Sequence, residues 1–214
     1  MTDKMLEILS GRFPLTELDT GEYRKLKVRG MGFSIRAFQA EGLGHVCVMK
    51  AGGFLGLMKM DTLIINPTAV DMPLFSYDRV LAMGNDTLIF ELYDTLLGET
   101  DLSLLEAVKA SAAYLPDHDL GEHWYDSMKL PMSLAKKGKR AHRAAFHATA
   151  AHYLAQYLLT TQNAPACDAA SKREKAGVYV EGLLKNGGPS TDVFQKSIGR
   201  EKTAELYRKV LLGT

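Results

Sequence analysis

Asp78 is the residue of this chain best placed to do chemistry. It lies in the stretch Asp71-Met72-Pro73-Leu74-Phe75-Ser76-Tyr77-Asp78-Arg79-Val80, inside an apolar, strand-like run with Tyr77, Val80 and Leu81. A carboxylate there must be solvated, paired or protonated, because burying it charged and alone is expensive. A carboxyl that keeps its proton near neutral pH is a proton donor. Pro73 cannot donate to a ladder, so it marks an edge or a strand start. Tyr77-Asp78 and Tyr93-Asp94 mark the ends of two strands joined through Gly84-Asn85-Asp86. A tight hairpin there brings the pairs together, either as a hydrogen-bonded sheet margin or as a pocket floor carrying a proton donor.

Other groups offer less. His142, His147 and His152 are five apart on an expected helix. Neighbours then differ by about 140° around the axis and do not converge on a metal. His118 and His123 repeat that spacing in a polar loop with Asp117, Asp119 and Glu122, and surface histidines are the default reading. Cys47 and Cys167 have no CxxC spacing, and two thiols cannot hold a four-ligand zinc or an iron–sulfur cluster, so they are expected to be buried and free. No metal site is expected. There is no GxGxxG, P-loop or GxSxG, and Gly52-Gly53-Phe54-Leu55-Gly56 reads as a turn. Lys136, Lys137, Lys139, Arg140 and Arg143 cluster where a long helix is expected to begin. They are either a solvated helix face or a docking patch for an acidic protein. The solvated face is the default, and the opposition of cations to the dipole at a helix start keeps the docking patch in view.

The elements that must position these groups fall into two halves. From Tyr23 to Leu97 the chain reads as strands: Lys25–Arg29 and the run around Phe33–Ala37 alternate with period two, followed by His45–Lys50, Phe54–Asn66, Leu74–Met83 and Thr87–Tyr93. In the last of these Leu88, Phe90 and Leu92 share one side, and Thr87, Ile89, Glu91 and Tyr93 the other. Short connections make this an antiparallel meander, and apolar residues on both faces, as at Ile64-Ile65, call for layers on both sides. From Asp101 the pattern turns helical: an acidic start at Asp101–Val108, an Ala-rich helix Lys136–Thr160, a helix Cys167–Leu184 stopped by Gly187-Gly188-Pro189, and two short helices, Thr191–Ser197 and Glu201–Leu212. Met5–Leu9 is too short to cover a face alone, so the C-terminal helices distribute over both. The expected fold class is α+β, a three-layer α/β/α sandwich with a central antiparallel sheet in one domain over 1–214.

The 214 residues suffice for a substantial core. The net charge of +1 gives no prior for nucleic acid or membrane, so any electrostatic partner must be recognised by a local patch. The start of the chain lacks the apolar core of a signal peptide and no run of about 18 apolar residues exists, so a cytoplasmic protein is expected.

Asp71–Asp78 resembles the D-L-P-x-F-G-x-D segment of ferredoxin-dependent bilin reductases. The resemblance continues to Asp94 at the end of the next strand. It returns at Gly188-Pro189-Ser190-Thr191-Asp192-Val193-Phe194, similar to the family's N-D-P-x-R-x-x-F, and at Gly199–Tyr207 and Val210-Leu211-Leu212. The resemblance implies an enzyme that reduces a linear tetrapyrrole such as biliverdin by a radical mechanism. Single electrons come from ferredoxin or a similar acidic carrier, with no bound flavin, nicotinamide or metal. It implies Asp78 as the catalytic proton donor and a substrate lying between sheet and helices, against Thr62, Ile64, Asn66, Pro73, Phe75, Asp94 and Asp192. The basic helix starts would receive ferredoxin. Thr62 stands where some members carry a histidine, if one residue is deleted before Pro73. Gly188 and Thr191 stand where the family has an aspartate and an arginine, and Asp192 is a candidate substitute. Such a divergent relative, near red chlorophyll catabolite reductase, could take another tetrapyrrole. The alternatives are a non-catalytic bilin- or haem-binding protein and an interaction module on the same fold.

Overall fold

The computed structural model describes residues 1–188 and 190–214, without the Phe54 side chain. Among them eight strands form one antiparallel sheet: β1 (Leu15–Leu18), β2 (Lys25–Val28), β3 (Met31–Ala40), β4 (Gly44–Gly53), β5 (Met58–Pro67), β6 (Leu74–Ala82), β7 (Asn85–Tyr93) and β8 (Leu134–Lys139). Their order is β1-β3-β4-β5-β6-β7-β8, with β2 pairing the other end of β3. β3 to β7 are the meander that short connections require. The turn between β4 and β5 is tight, with Leu55 in the left-handed region at φ 55°.

Helices cover both faces. α1 (Thr2–Ser10), α2 (Ser103–Ser111) and α3 (Arg143–Thr160) pack on one face, where Met5, Leu105, Val108, Phe146 and Tyr153 meet Leu63, Phe75, Phe90 and Leu92. α4 (Ala169–Asn186), α5 (Thr191–Ile198), α6 (Arg200–Glu205) and the π-helical stretch Leu206–Leu212 cover the other, where Tyr179, Val180, Phe194 and Leu211 meet Ile35, Met49, Leu74 and Tyr93. Each such aromatic or aliphatic side chain contributes roughly 1.5–3 kcal/mol by leaving water. The fold is thus the α+β three-layer sandwich expected from the sequence.

Three local expectations need correction. The helix expected from Lys136 begins at Arg143. Residues 134–139 instead form β8, which satisfies the edge of β7 over Asn85–Phe90, and Gly138 supports no helix there. α4 starts at Ala169 rather than Cys167, because Asp168 caps it by accepting from Ser171 N at 2.7 Å. Its end at Gly187, φ 81°, agrees with the glycine stop, while Pro189 lies outside the described residues. Cys47 is buried, whereas Cys167 is only half-buried; both are free.

No helix of the described chain is long and apolar enough to cross a membrane.

Candidate active site

Strand parity decides which groups meet. On β5, β6 and β7 the residues Thr62, Ile64, Ser76, Asp78, Ile89, Glu91 and Tyr93 face α4 and the C-terminal stretch. Their neighbours Leu63, Phe75, Tyr77, Leu88 and Phe90 face α3. Between the sheet and the layer of α4, α5 and the C-terminal stretch lies a cavity of about 110 Å³, floored by Thr62, Ile64, Ser76, Asp78 and Glu91 and walled by Tyr93, Tyr125, Tyr179, Thr191 and Tyr207. A vestibule of about 340 Å³, with Met60, Val80, Ile89, Leu120 and His123, shares Asp78, Glu91, Tyr125 and Ser190 with it. Asp78 therefore stands at the neck between the two.

Asp78 is in register with Thr62, whose Oγ1 donates a hydrogen bond to Asp78 Oδ1. Burial pushes the Asp78 carboxyl up to about 6; the Thr62 hydrogen bond pulls down, Glu91 pushes up and Ser76 pulls down. Among the described residues no cation pairs with Asp78. A carboxyl so placed gives up its proton near pH 6 rather than near 3.8, and can hand it to a bound molecule.

Glu91 is the second carboxylate on this floor. Lys129 Nζ pairs with its Oε1 at 2.6 Å, and Tyr93 OH donates to its Oε2 at 2.6 Å. Lys129 also pairs with Asp126 at 2.9 Å and lies 4.9 Å from the centre of the Tyr125 ring. The aromatic wall is interlocked: Tyr93 stacks on Tyr179 at 4.0 Å, and Tyr125 meets Tyr179 edge-on at 6.0 Å. Trp124 Nε1 donates to Gly187 O at 2.8 Å, and its ring lies where a side chain at Gly182 would have to go, which pins this loop to α4. Burial raises the Tyr207 phenol to about 12 and those of Tyr93 and Tyr179 well above their usual range. At neutral pH the three are hydrogen-bonding groups that keep their protons, not bases.

Of the residues expected at the site, Asp78, Thr62 and Ile64 line the cavity together. Asn66 does not. It is buried behind it, with Nδ2 donating to Leu212 O at 2.7 Å, and it anchors the end of the chain. Phe75 has the opposite parity and packs on Tyr157 at 4.8 Å. Pro73 belongs to that same layer, its carbonyl accepting from Tyr157 OH at 2.7 Å. Asp94 is exposed and binds Leu96 N. Asp192 is exposed on the first turn of α5, and its neighbour Thr191 reaches the cavity, 3.1 Å from Tyr207 OH.

The expected docking cluster also divides. Lys136 is buried at 5 % exposure, held by Leu115 O at 3.1 Å and Asp117 at 2.6 Å. Arg143 is exposed and lies 3.7 Å from buried Asp86. Lys137, Lys139 and Arg140 are exposed, and Lys139 binds Asn85. Among the described residues no group of three or more His, Cys, Asp or Glu side chains could hold a metal ion.

Sequence reasoning missed Glu91, Tyr125, Tyr179 and Tyr207 as site residues. For Glu91 the signal was present: a carboxylate in mid-strand on the same side of β7 as Tyr93. The tyrosines come from a loop and helices whose approach to the sheet no local pattern encodes.

No family model matches the chain, and no curated protein matches it. Its fold does match solved structures. One is the crystal structure of selenomethionine-labelled phytochromobilin synthase from tomato in complex with biliverdin, with a TM-score of 0.77 and 14% identity over 96% of this chain and 79% of the other. The two chains share a fold. The likeness is one of fold; the roles of individual side chains rest on the geometry above.

Proposed function

We propose that this protein reduces a linear tetrapyrrole, taking single electrons from ferredoxin or a similar small acidic carrier and protons from Asp78. The observation that carries the reading is a carboxyl raised to about 6 at the neck of a cavity between sheet and helices. The likeness to a phytochromobilin synthase bound to biliverdin supports the choice of substrate. Reducing one double bond takes two electrons and two protons. The first electron leaves an anionic radical and the second, added to the neutral radical, a closed-shell anion; a proton from Asp78 neutralises each in turn, and solvent reaching the vestibule restores the Asp78 proton between the two steps. The floor is rich in acceptors, Asp78, Glu91 and the hydroxyls, which suits a ligand presenting pyrrole N–H donors. Ligand pockets of this kind run to roughly 300–1,000 Å³, so the pigment would occupy the cavity and the vestibule together. The exposed cations Lys137, Lys139 and Arg140 are the proposed landing site for the carrier.

The test is an anaerobic mixture of the protein with biliverdin, followed by visible absorbance. The expected result is a spectral shift on binding and loss of the parent band when reduced ferredoxin is added. Asp78→Asn should keep the binding shift and lose the second change. Binding without any reduction by the wild-type chain would make it a pigment-binding protein. No shift with biliverdin, haem or an opened chlorophyll catabolite would remove the tetrapyrrole altogether.

A further inference from the structure

The cavity floor carries two carboxyl groups, and their surroundings treat them differently. Asp78 pairs with Ile89 and Glu91 with Ser76, so the two acids stand at diagonal positions on one face of β6 and β7. Diagonal neighbours lie roughly 7–8 Å apart. Glu91 has two partners of its own, the Lys129 ammonium at 2.6 Å and the Tyr93 hydroxyl at 2.6 Å. Asp78 receives the Thr62 hydroxyl and, among the described residues, no cation. A carboxylate close by disfavours the charged form of another acid.

We propose that Glu91 is the positioning residue for the proton on Asp78: held by Lys129 and Tyr93 on the same face of the sheet, this carboxylate adds to burial in favouring the proton on Asp78. The use of that proton rests on the reductase reading, but the coupling belongs to the unliganded protein. It also supplies a reset. Once Asp78 has given its proton away, its carboxylate and that of Glu91 face one cavity, and their repulsion favours the return of a proton from solvent to Asp78.

Other groups that face this pair are Tyr125, His123 and Asp126 on the loop carrying Lys129, Tyr179 on α4 and Tyr207 on the C-terminal stretch. The phenols do not change charge near neutrality. His123 stacks on Tyr125 at 4.9 Å and lies 3.8 Å from Asp126. Histidine is the side-chain type that titrates in this range, so His123→Gln is the background for the measurement.

The experiment is a titration of Asp78 in the pigment-free protein, by isotope-edited infrared or carbon NMR of labelled aspartate, assigned with Asp78→Asn. In the parent the carboxyl should titrate near 6. Glu91→Gln keeps an acceptor for Tyr93 but removes the charge, and should move the midpoint down by about one pH unit. Glu91→Asp should return most of that shift. Lys129→Met, which removes the compensating cation, should move it up. A midpoint unchanged in Glu91→Gln overturns the proposal. If that variant does not fold, an unchanged midpoint in Lys129→Met overturns it. Neither pigment nor electron donor is present. A shift without bilin turnover therefore keeps the coupling and sinks the reductase; turnover without a shift does the reverse.

Discussion

Thr62 and Asp78 stand directly opposite each other on β5 and β6, and the threonine hydroxyl donates to Asp78 Oδ1. That bond favours the charged carboxylate, so it restrains the upward push of burial. Thr62→Val removes it and should raise the Asp78 carboxyl further, by about one pH unit. Donation needs the protonated acid, so turnover should fall as pH rises through the Asp78 value. The valine variant should make that fall at higher pH, whereas Thr62→Ser should leave it in place. A pH–rate profile for bilin reduction checks this; an alkaline limb that does not move would remove Asp78 as the donor.

The same carboxyl has a consequence for stability. Its value rises from 3.8 to about 6 on folding. A raised acid binds more protons in the folded state, so its favourable contribution is present below the unfolded value and is lost as pH rises through about 6. Above that the protein holds a charge in a poor place. Asp78→Asn should therefore stabilise the fold at pH 8, by about 1–3 kcal/mol allowing for partial exposure at the cavity neck, and have little effect near pH 3.5. Urea midpoints at the two pH values measure it. A variant less stable than the parent at pH 8 would mean that the carboxylate is well solvated or paired.

The sheet and the position of Asp78 were legible because both are written locally. Period-two alternation in Thr87–Tyr93 separates Phe90 from Glu91, and it correctly divides the two sides of β7. The same rule applied to β6 would have excluded Phe75, which differs from Asp78 by an odd number of positions. A short motif shared with a family marks a stretch of chain without marking which of its side chains share a face. β8 was missed for a different reason. Leu134–Lys139 is short and lysine-rich, and it becomes a strand because the β7 edge needs hydrogen-bond partners. That need is visible only once the sheet exists. Lys136 then turns inward to Leu115 O, a contact 21 residues away in sequence.

The exposed remainder of that cluster makes a kinetic prediction. Lys139→Glu with Arg140→Glu should raise the KM for reduced ferredoxin roughly tenfold at low salt, at about 0.7 kcal/mol for each change, and leave turnover at saturating donor intact. The effect should shrink as salt is added. Lys136→Glu should act on stability instead, because its ammonium is buried. Donor titrations at two ionic strengths separate the two outcomes. An unchanged KM would put the carrier elsewhere on the surface.

Lys172 ties the helix that walls the cavity to the strands that floor it. Its ammonium is fully buried and donates to Asp71 Oδ1 at 3.1 Å, Met72 O at 2.7 Å and Thr95 O at 2.7 Å. Asp71 in turn accepts from Leu97 N and Gly98 N at 2.9 and 2.8 Å. α4 is thereby fixed at the start of β6 and the end of β7, two turns before Tyr179 enters the cavity wall. Burial opposes the Asp71 charge, but these backbone donors and Lys172 outweigh it and hold the carboxyl below its usual range. The sign follows from that direction: the contribution of Asp71 is present above the ordinary aspartate value and is lost as pH falls through its lower folded one. Lys172→Met strands the carboxylate and should cost about 3–5 kcal/mol at pH 7. Adding Asp71→Asn removes the stranded charge and should return part of the loss. In acid, where the parent loses the pair as well, the gap between parent and Lys172→Met should narrow. Denaturant melts of the three proteins at pH 7 and pH 3 test this, and a gap that stays constant with pH would show that packing, rather than the charge pair, sets the role of Lys172.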